Sequence, residues 1–152
     1  MVAGALMLAA CKDVADHLKV RKKVESVDVF DHITDDAEAY VKDHGKLPVG
    51  ESAALPAGAT CCGMPDNTYP IPPTSAWKAD PVWGALGFSF EGTDRKHLLY
   101  TYKYTGSPDG LSFRVTATGD TDCDGVFATF TLDGKIVDGK LQTTVTPPPN
   151  PD

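Results

Sequence analysis

The chain has 152 residues, of which 41% are hydrophobic and 23% charged, with a formal net charge of −7. That length and balance suit one folded domain with a modest core and argue against a disordered chain. The acidic balance argues against a nucleic-acid-binding surface, which needs clustered Lys and Arg; the basic run Lys19–Lys23 (KVRKK) is short and lies inside a helical pattern.

Residues 1–13 open with "MVAGALMLAAC", an apolar stretch well short of the roughly 20 residues that span a bilayer. No basic residue precedes it, so it is a poor secretory signal as written. Leu8-Ala9-Ala10-Cys11 resembles the lipobox of bacterial lipoproteins, with Cys11 as the lipidated residue. Alternatively, the stretch is the lower part of a longer apolar helix, or a helix end buried in the protein. Either of the first two readings places the remainder in the periplasm or outside the cell.

From about residue 14 to 43 the spacing predicts one helix. Val20, Val24, Val27, Phe30, Ile33, Ala37, Tyr40 and Val41 fall at steps of three and four and draw a single apolar stripe. Lys22, Lys23, Glu25, Asp28, Asp31, Asp35, Asp36 and Glu38 fall on the other face. Gly45 supplies a stop and Pro48 follows. A helix of that length spans about 45 Å, and its stripe needs a partner throughout.

Residues 46–81 read as a proline-rich loop, because proline forbids long helices and central strands. The loop contains the vicinal pair Cys61 and Cys62. Outside a reducing cytosol, cysteines in such loops pair. A bond between the two neighbours would close a strained eight-membered ring, so we expect Cys123 to bond to Cys61 or Cys62. A zinc site is disfavoured: there is no CxxC pair and no nearby His.

From about residue 84 to 138 the period becomes two. "GALGFSF" (84–90), "HLLYTYKYT" (97–105), "LSFRVTAT" (111–118) and "VFATFTL" (126–132) each alternate, and "GKIVDGK" adds a candidate edge. Short turn-rich links, "GSPDG" and "GDTDCDG", make the strands antiparallel neighbours. Tyr100, Tyr102 and Tyr104 line one face and should pack on the helix; Trp77 and Trp83 should cap the sheet edge. The last stretch, 141–152, has no core-forming pattern and reads as a flexible tail. The fold class expected is α+β: a long N-terminal helix packed on a three- to four-stranded antiparallel sheet.

That layout resembles type IV pilins and the pseudopilins of type II secretion. "LAACKDVADHLKVRKKVESVDVFDHITDDAEAYVKDHGKLP" is similar to the pilin helix from its apolar middle to its Gly and Leu-Pro exit. "WKADPVWGALGFSFEG", "LLYTYKY", "FRVTATGDTDCDG" and "FATF" are similar to the globular heads of pilin-like proteins of myxobacteria. The likeness covers roughly residues 8–133 and implies a pilin-like domain over 14–140, with 1–13 as anchor or helix remnant. The family's cleavage-site glycine, methylated first residue and fifth-residue glutamate have no counterpart here, and Lys12 and Asp13 stand where the family continues apolar.

Asp120, Asp122 and Asp124 with Gly125 match the first half of a D-x-D-x-D-G calcium loop, since alternate carboxylates in a turn converge on one point. Position twelve is Thr131 rather than Glu, and the loop joins strands, leaving backbone carbonyls or Asp133 to complete the shell. The plain alternative is an acidic turn whose aspartates accept backbone N–H groups. Asp28, His32 and Asp36 share a helix face at i, i+4 and i+8, which more simply makes a solvated polar face. No Ser-His-Asp order, G-x-S-x-G or phosphate loop occurs. The resemblance implies a non-enzymatic structural subunit of a cell-envelope filament, partnered by other pilin-like subunits. The alternative is a lipid-anchored periplasmic binding module, held through Cys11 and using the proline-rich loop for recognition. No cofactor is expected beyond calcium at the acidic turn.

Overall fold

The computed structural model describes the backbone of residues 5–149 and the side chains of residues 25–149. One long helix, α1 (Ala5–His44), lies against a five-stranded antiparallel sheet. Its end falls where Gly45 was expected to stop it, the Gly45 N–H closing on the Val41 carbonyl at 2.7 Å. The helix also takes in residues 5–13, which the sequence pattern separates as an apolar segment. Among the described residues no helix is long and apolar enough to cross a membrane.

The sheet runs in the order β1 (Gly50–Glu51), β4 (Thr101–Gly106), β5 (Ser112–Gly119), β6 (Ala128–Val137) and β7 (Lys140–Thr146). A two-stranded ladder pairs β2 (Tyr69–Pro70) with β3 (His97–Leu98). The sheet therefore has more strands than the three or four expected. Both edges were unexpected: β1 comes from residues read as loop, and β7 mostly from residues assigned to a flexible tail. Val137 pairs with Lys140, so Asp138 and Gly139 alone make the turn, both at positive φ (51° and 75°). This is the geometry that Asp-Gly hairpins adopt to match strand twist. β6 accordingly runs on through "GKIV", and β7 returns along it.

The alternation of β4, β5 and β6 puts Tyr102, Tyr104, Phe113, Val115, Ala117, Phe130 and Leu132 into the core. Cross-strand partners alternate in size. Tyr102 sits opposite Ala117, and Ala117 opposite Phe130. Phe113 sits between Gly106 and Gly134 and stacks on Tyr104 with ring centroids 5.2 Å apart. A Cβ at Gly134 would run into the Phe113 ring, so glycine in mid-strand makes room for the aromatic.

Against this face α1 lays Ser26, Val29, Phe30, Ile33, Ala37 and Val41. Phe30, Ile33, Ala37 and Val41 are as the stripe predicts. Val29 was missed, while Val27 and Tyr40 are only half-buried; Val20 and Val24 lie outside the residues whose side chains are described. The tyrosine row does face the helix: the Phe30 ring meets Tyr102 edge-on at 6.4 Å.

Two expectations fail in the connection. "GALGFSF" is not a strand. Asp80 accepts from the Val82 and Trp83 N–H groups and Pro81 occupies the first turn, starting helix α3 (Pro81–Leu86), which Gly87 ends in the left-handed region. A preceding short helix, α2 (Thr74–Ala79), carries Trp77. Phe88 and Phe90 are buried outside any helix or ladder. Trp77 and Trp83 do not cap an edge: both are fully buried and meet edge-to-face at 5.5 Å, with Phe88 and Phe90 completing the aromatic cluster. The period-two signal was real but marked burial of alternate residues, not pairing. Likewise Val126 and Phe127 precede β6 and are exposed.

Candidate functional site

The turn between β5 and β6 is built from the acidic run. Asp120 is buried at its base; its Oδ1 accepts from the Asp124 N–H at 3.2 Å and its Oδ2 from the Gly125 N–H at 3.1 Å. Asp122 Oδ1 also accepts from the Asp124 N–H at 3.3 Å, and Asp124 Oδ1 accepts from the Val126 N–H at 2.7 Å. Cys123 sits in the middle at φ 63°, a conformation the surrounding bonds hold in place. Its sulfur is bonded to Cys62, with the two Cα atoms 5.6 Å apart. Of the two partners left open by the sequence, the structure selects Cys62. Cys61 stays outside the disulfide and is buried beside it.

The structure does bring the three carboxylates together: one oxygen from each lies within 4.8 Å of the others. Hard oxygen donors at this spacing suit a divalent cation such as calcium, which takes six to eight of them. Asp133, suggested above as a further ligand, is committed elsewhere. It takes a two-point contact from Arg114 at 2.7 and 3.1 Å on the open sheet face. The same contact occupies Arg114, which could otherwise have offset charge in the turn. What offsets it instead is the set of backbone N–H groups, as in the plain-turn reading. We therefore expect the melting temperature to agree within about 1 °C between millimolar Ca²⁺ and chelator, since a ligand that does not bind adds no stability. A rise in the wild type that Asp122→Ala lacks would instead make the turn a cation site.

A second polar centre was missed. Glu25, assigned above to the solvent face of the helix, is 4% exposed. Its Oε1 and Oε2 each accept from the Leu99 N–H at 3.0 Å, and Oε1 also accepts from the Tyr102 hydroxyl at 3.0 Å and the Tyr100 N–H at 3.4 Å. Arg95 stands 3.7 Å from Oε2 and reaches Asp28 at 3.3 Å. The carboxylate thus fills the gap between β3 and β4, where two consecutive N–H groups need an acceptor. Burial raises the Glu25 pKa above its ordinary value, outweighing the donors and Arg95, which lower it. Burial first, and Glu25 second, push Tyr102 upward.

A folded-state pKa above the unfolded one gives a contribution fully present below the ordinary carboxylate range and lost as pH rises through the raised value. In urea titrations, wild type should therefore lose stability relative to Glu25→Gln as pH rises upward from about 4. A difference that stays constant with pH would contradict this.

The helix-face trio does not converge. Asp28 goes to Arg95, while His32 lies 3.7 Å from Asp36 and against the Phe88 ring at 5.1 Å. The Asp36 pKa is raised by burial. Among the described residues, only Asp120, Asp122 and Asp124 bring three metal-ligating groups to one point. The Cys11 side chain lies outside the described side chains. Comparison of the chain with family models, with curated proteins and with solved structures finds no match.

Proposed function

We propose that the chain is a structural, non-catalytic subunit of a type IV pilus or pseudopilus-like filament of the cell envelope. The observation that carries this reading is the layout of one long helix laid on an antiparallel sheet. Side chains from Ser26 to Val41 bury against the sheet and its flanking helices. Residues 5–24 continue the same helix for about 30 Å. A helix of 40 residues joined to a sheet is the layout by which a subunit would pack on the helices of neighbouring copies, with the sheet as an outward head. The resemblance of the helix exit and of the "FRVTATGDTDCDG" block to pilin-like heads supports the same reading. Partners would be other pilin-like subunits, and the N-terminal end would meet the inner membrane.

A second reading is favoured by Leu8-Ala9-Ala10-Cys11: a lipid-anchored periplasmic interaction module. Its recognition surface would be the proline-rich loop, pinned by Cys62–Cys123. One experiment separates the two. The native protein is recovered from its own cells in the sheared surface fraction and in the membrane fraction, and its N-terminus is read by mass spectrometry. The filament reading expects protein in the sheared fraction and an N-methylated residue upstream of Met1. A diacylglyceryl group on Cys11, with protein confined to membranes, would overturn it in favour of the anchored module. Protein in neither fraction would reject both.

A further inference from the structure

We propose that Cys61 and Cys62 are interchangeable partners of Cys123, so that the bond pinning the acidic turn isomerises between Cys62–Cys123 and Cys61–Cys123 by thiol–disulfide exchange. Two sulfurs lie against one carbonyl, and the third is bonded to one of them. The Cys61 thiol, 1% exposed, donates to the Asp120 carbonyl oxygen at 3.9 Å. The Cys62 sulfur, which carries no proton, lies 3.2 Å from that same oxygen and is bonded to Cys123.

The turn that carries Cys123 is held by Asp120, Asp122 and Asp124 through backbone N–H groups, independently of which cysteine it bonds. The segment opposite the turn is held by local bonds, among them the Met64 N–H to the Cys61 carbonyl at 3.0 Å and the Gly63 N–H to Asn67 Oδ1 at 3.1 Å, rather than by a ladder. Residues 60–63 belong to no ladder, the Cys62 N–H is taken by the Thr60 hydroxyl at 3.1 Å, and Gly63 follows at φ 85°. Neighbouring Cα atoms are about 3.8 Å apart. A shift of this loop by about one residue step therefore brings Cys61 into the 4.4–6.8 Å Cα range that disulfides use.

The chemistry balances without an external oxidant. Cys61 gives its proton to solvent and the thiolate attacks the Cys123 sulfur. The Cys62–Cys123 bond breaks, and its electron pair leaves on Cys62, which takes up a proton. One disulfide and one thiol exist before and after. Burial of Cys61 limits its access to base and so slows the exchange from the Cys62–Cys123 form that the structure holds. Exchange moves the thiol from the core to the half-buried Cys62 position, beside the acidic turn, without releasing the pin.

The test uses the full chain, oxidised, as wild type, Cys62→Ser and Cys61→Ser. Peptide mapping of Cys62→Ser under non-reducing conditions is expected to recover a Cys61–Cys123 cross-link in the majority of molecules. Recovery of Cys61 and Cys123 both alkylated would overturn the proposal. A second measurement does not depend on that variant folding. Wild type is held at pH 6 or pH 8.5 without added thiol, quenched in acid, denatured and alkylated. Label on Cys62 and the Cys61–Cys123 peptide should appear together, at least tenfold faster at the higher pH because the thiolate is the attacking species. Neither should appear in Cys61→Ser. Label confined to Cys61 in the wild type at all times and at both pH values would overturn the proposal as well.

Discussion

Phe30→Ala is expected to lower stability by about 3–5 kcal/mol, the cost of deleting a fully buried aromatic whose site cannot collapse around the gap. Phe30 has no exposed surface. Its ring is set edge-on against Tyr102, which is itself buried and held by Glu25. Neighbours that are themselves hydrogen-bonded or strand-paired relax little, so the cavity persists. In thermal unfolding this corresponds to a shift on the order of 10 °C for a domain of this size. An exposed change on the same helix, Glu38→Ala, should stay within about 0.5 kcal/mol. A loss below about 1 kcal/mol for Phe30→Ala would mean that the helix stripe does not form the core of the isolated chain, and the packing described here would be wrong.

Cys123→Ser is expected to cost about 4 kcal/mol. The bond joins residues 61 apart in sequence, and closing a loop of that size in the unfolded chain removes entropy worth about that much in the chain-entropy account. Serine at 123 removes both the bond to Cys62 and any bond to Cys61, so exchange between those two cysteines cannot mask the loss. The same loss should follow reduction of the wild type. The two should not be additive, because each removes the same cross-link. Equal denaturation midpoints for oxidised wild type and Cys123→Ser would show that the loop is held by its other contacts. Those include the Met64 N–H to Cys61 carbonyl bond at 3.0 Å and the packing of buried Tyr69.

The two predictions differ in how visible their cause is along the chain. Phe30 announces itself. It lies three residues before Ile33 and seven before Ala37, and helix geometry alone puts the three on one face. Cys123 was legible as a disulfide residue from its setting in a turn-rich run, yet its partner was not. Cys61 and Cys62 are adjacent and both reach the Asp120 carbonyl, and which of them bonds Cys123 depends on how the proline-rich loop is placed. Glu25 shows the opposite case. A glutamate among lysines and aspartates on a helix reads as solvent-facing, and no local pattern distinguishes it from Glu38. Its burial follows from β3 and β4 meeting at Leu99 and Tyr100, where two N–H groups point at the helix. The hairpin at Asp138 and Gly139 was legible and was passed over: an Asp-Gly pair between alternating segments is a strong short-range turn signal.

By itself the sequence determined the periodic elements of this protein: the long helix and its end at Gly45, and the inward rows of β4, β5 and β6. Each of these rests on interactions between residues close along the chain, whose geometry is set by a repeat of 3.6 or 2. Only the tertiary structure decided the buried role of Glu25, the sinking of Trp77 and Trp83 into the core, and the choice of Cys62 over Cys61. It alone decided the pairing of Asp133 with Arg114 instead of with the turn. Each of those depends on which distant segment arrives next to a side chain. A carboxylate, an indole or a thiol is stable in a core only when that neighbour supplies the missing donor, aromatic wall or second sulfur.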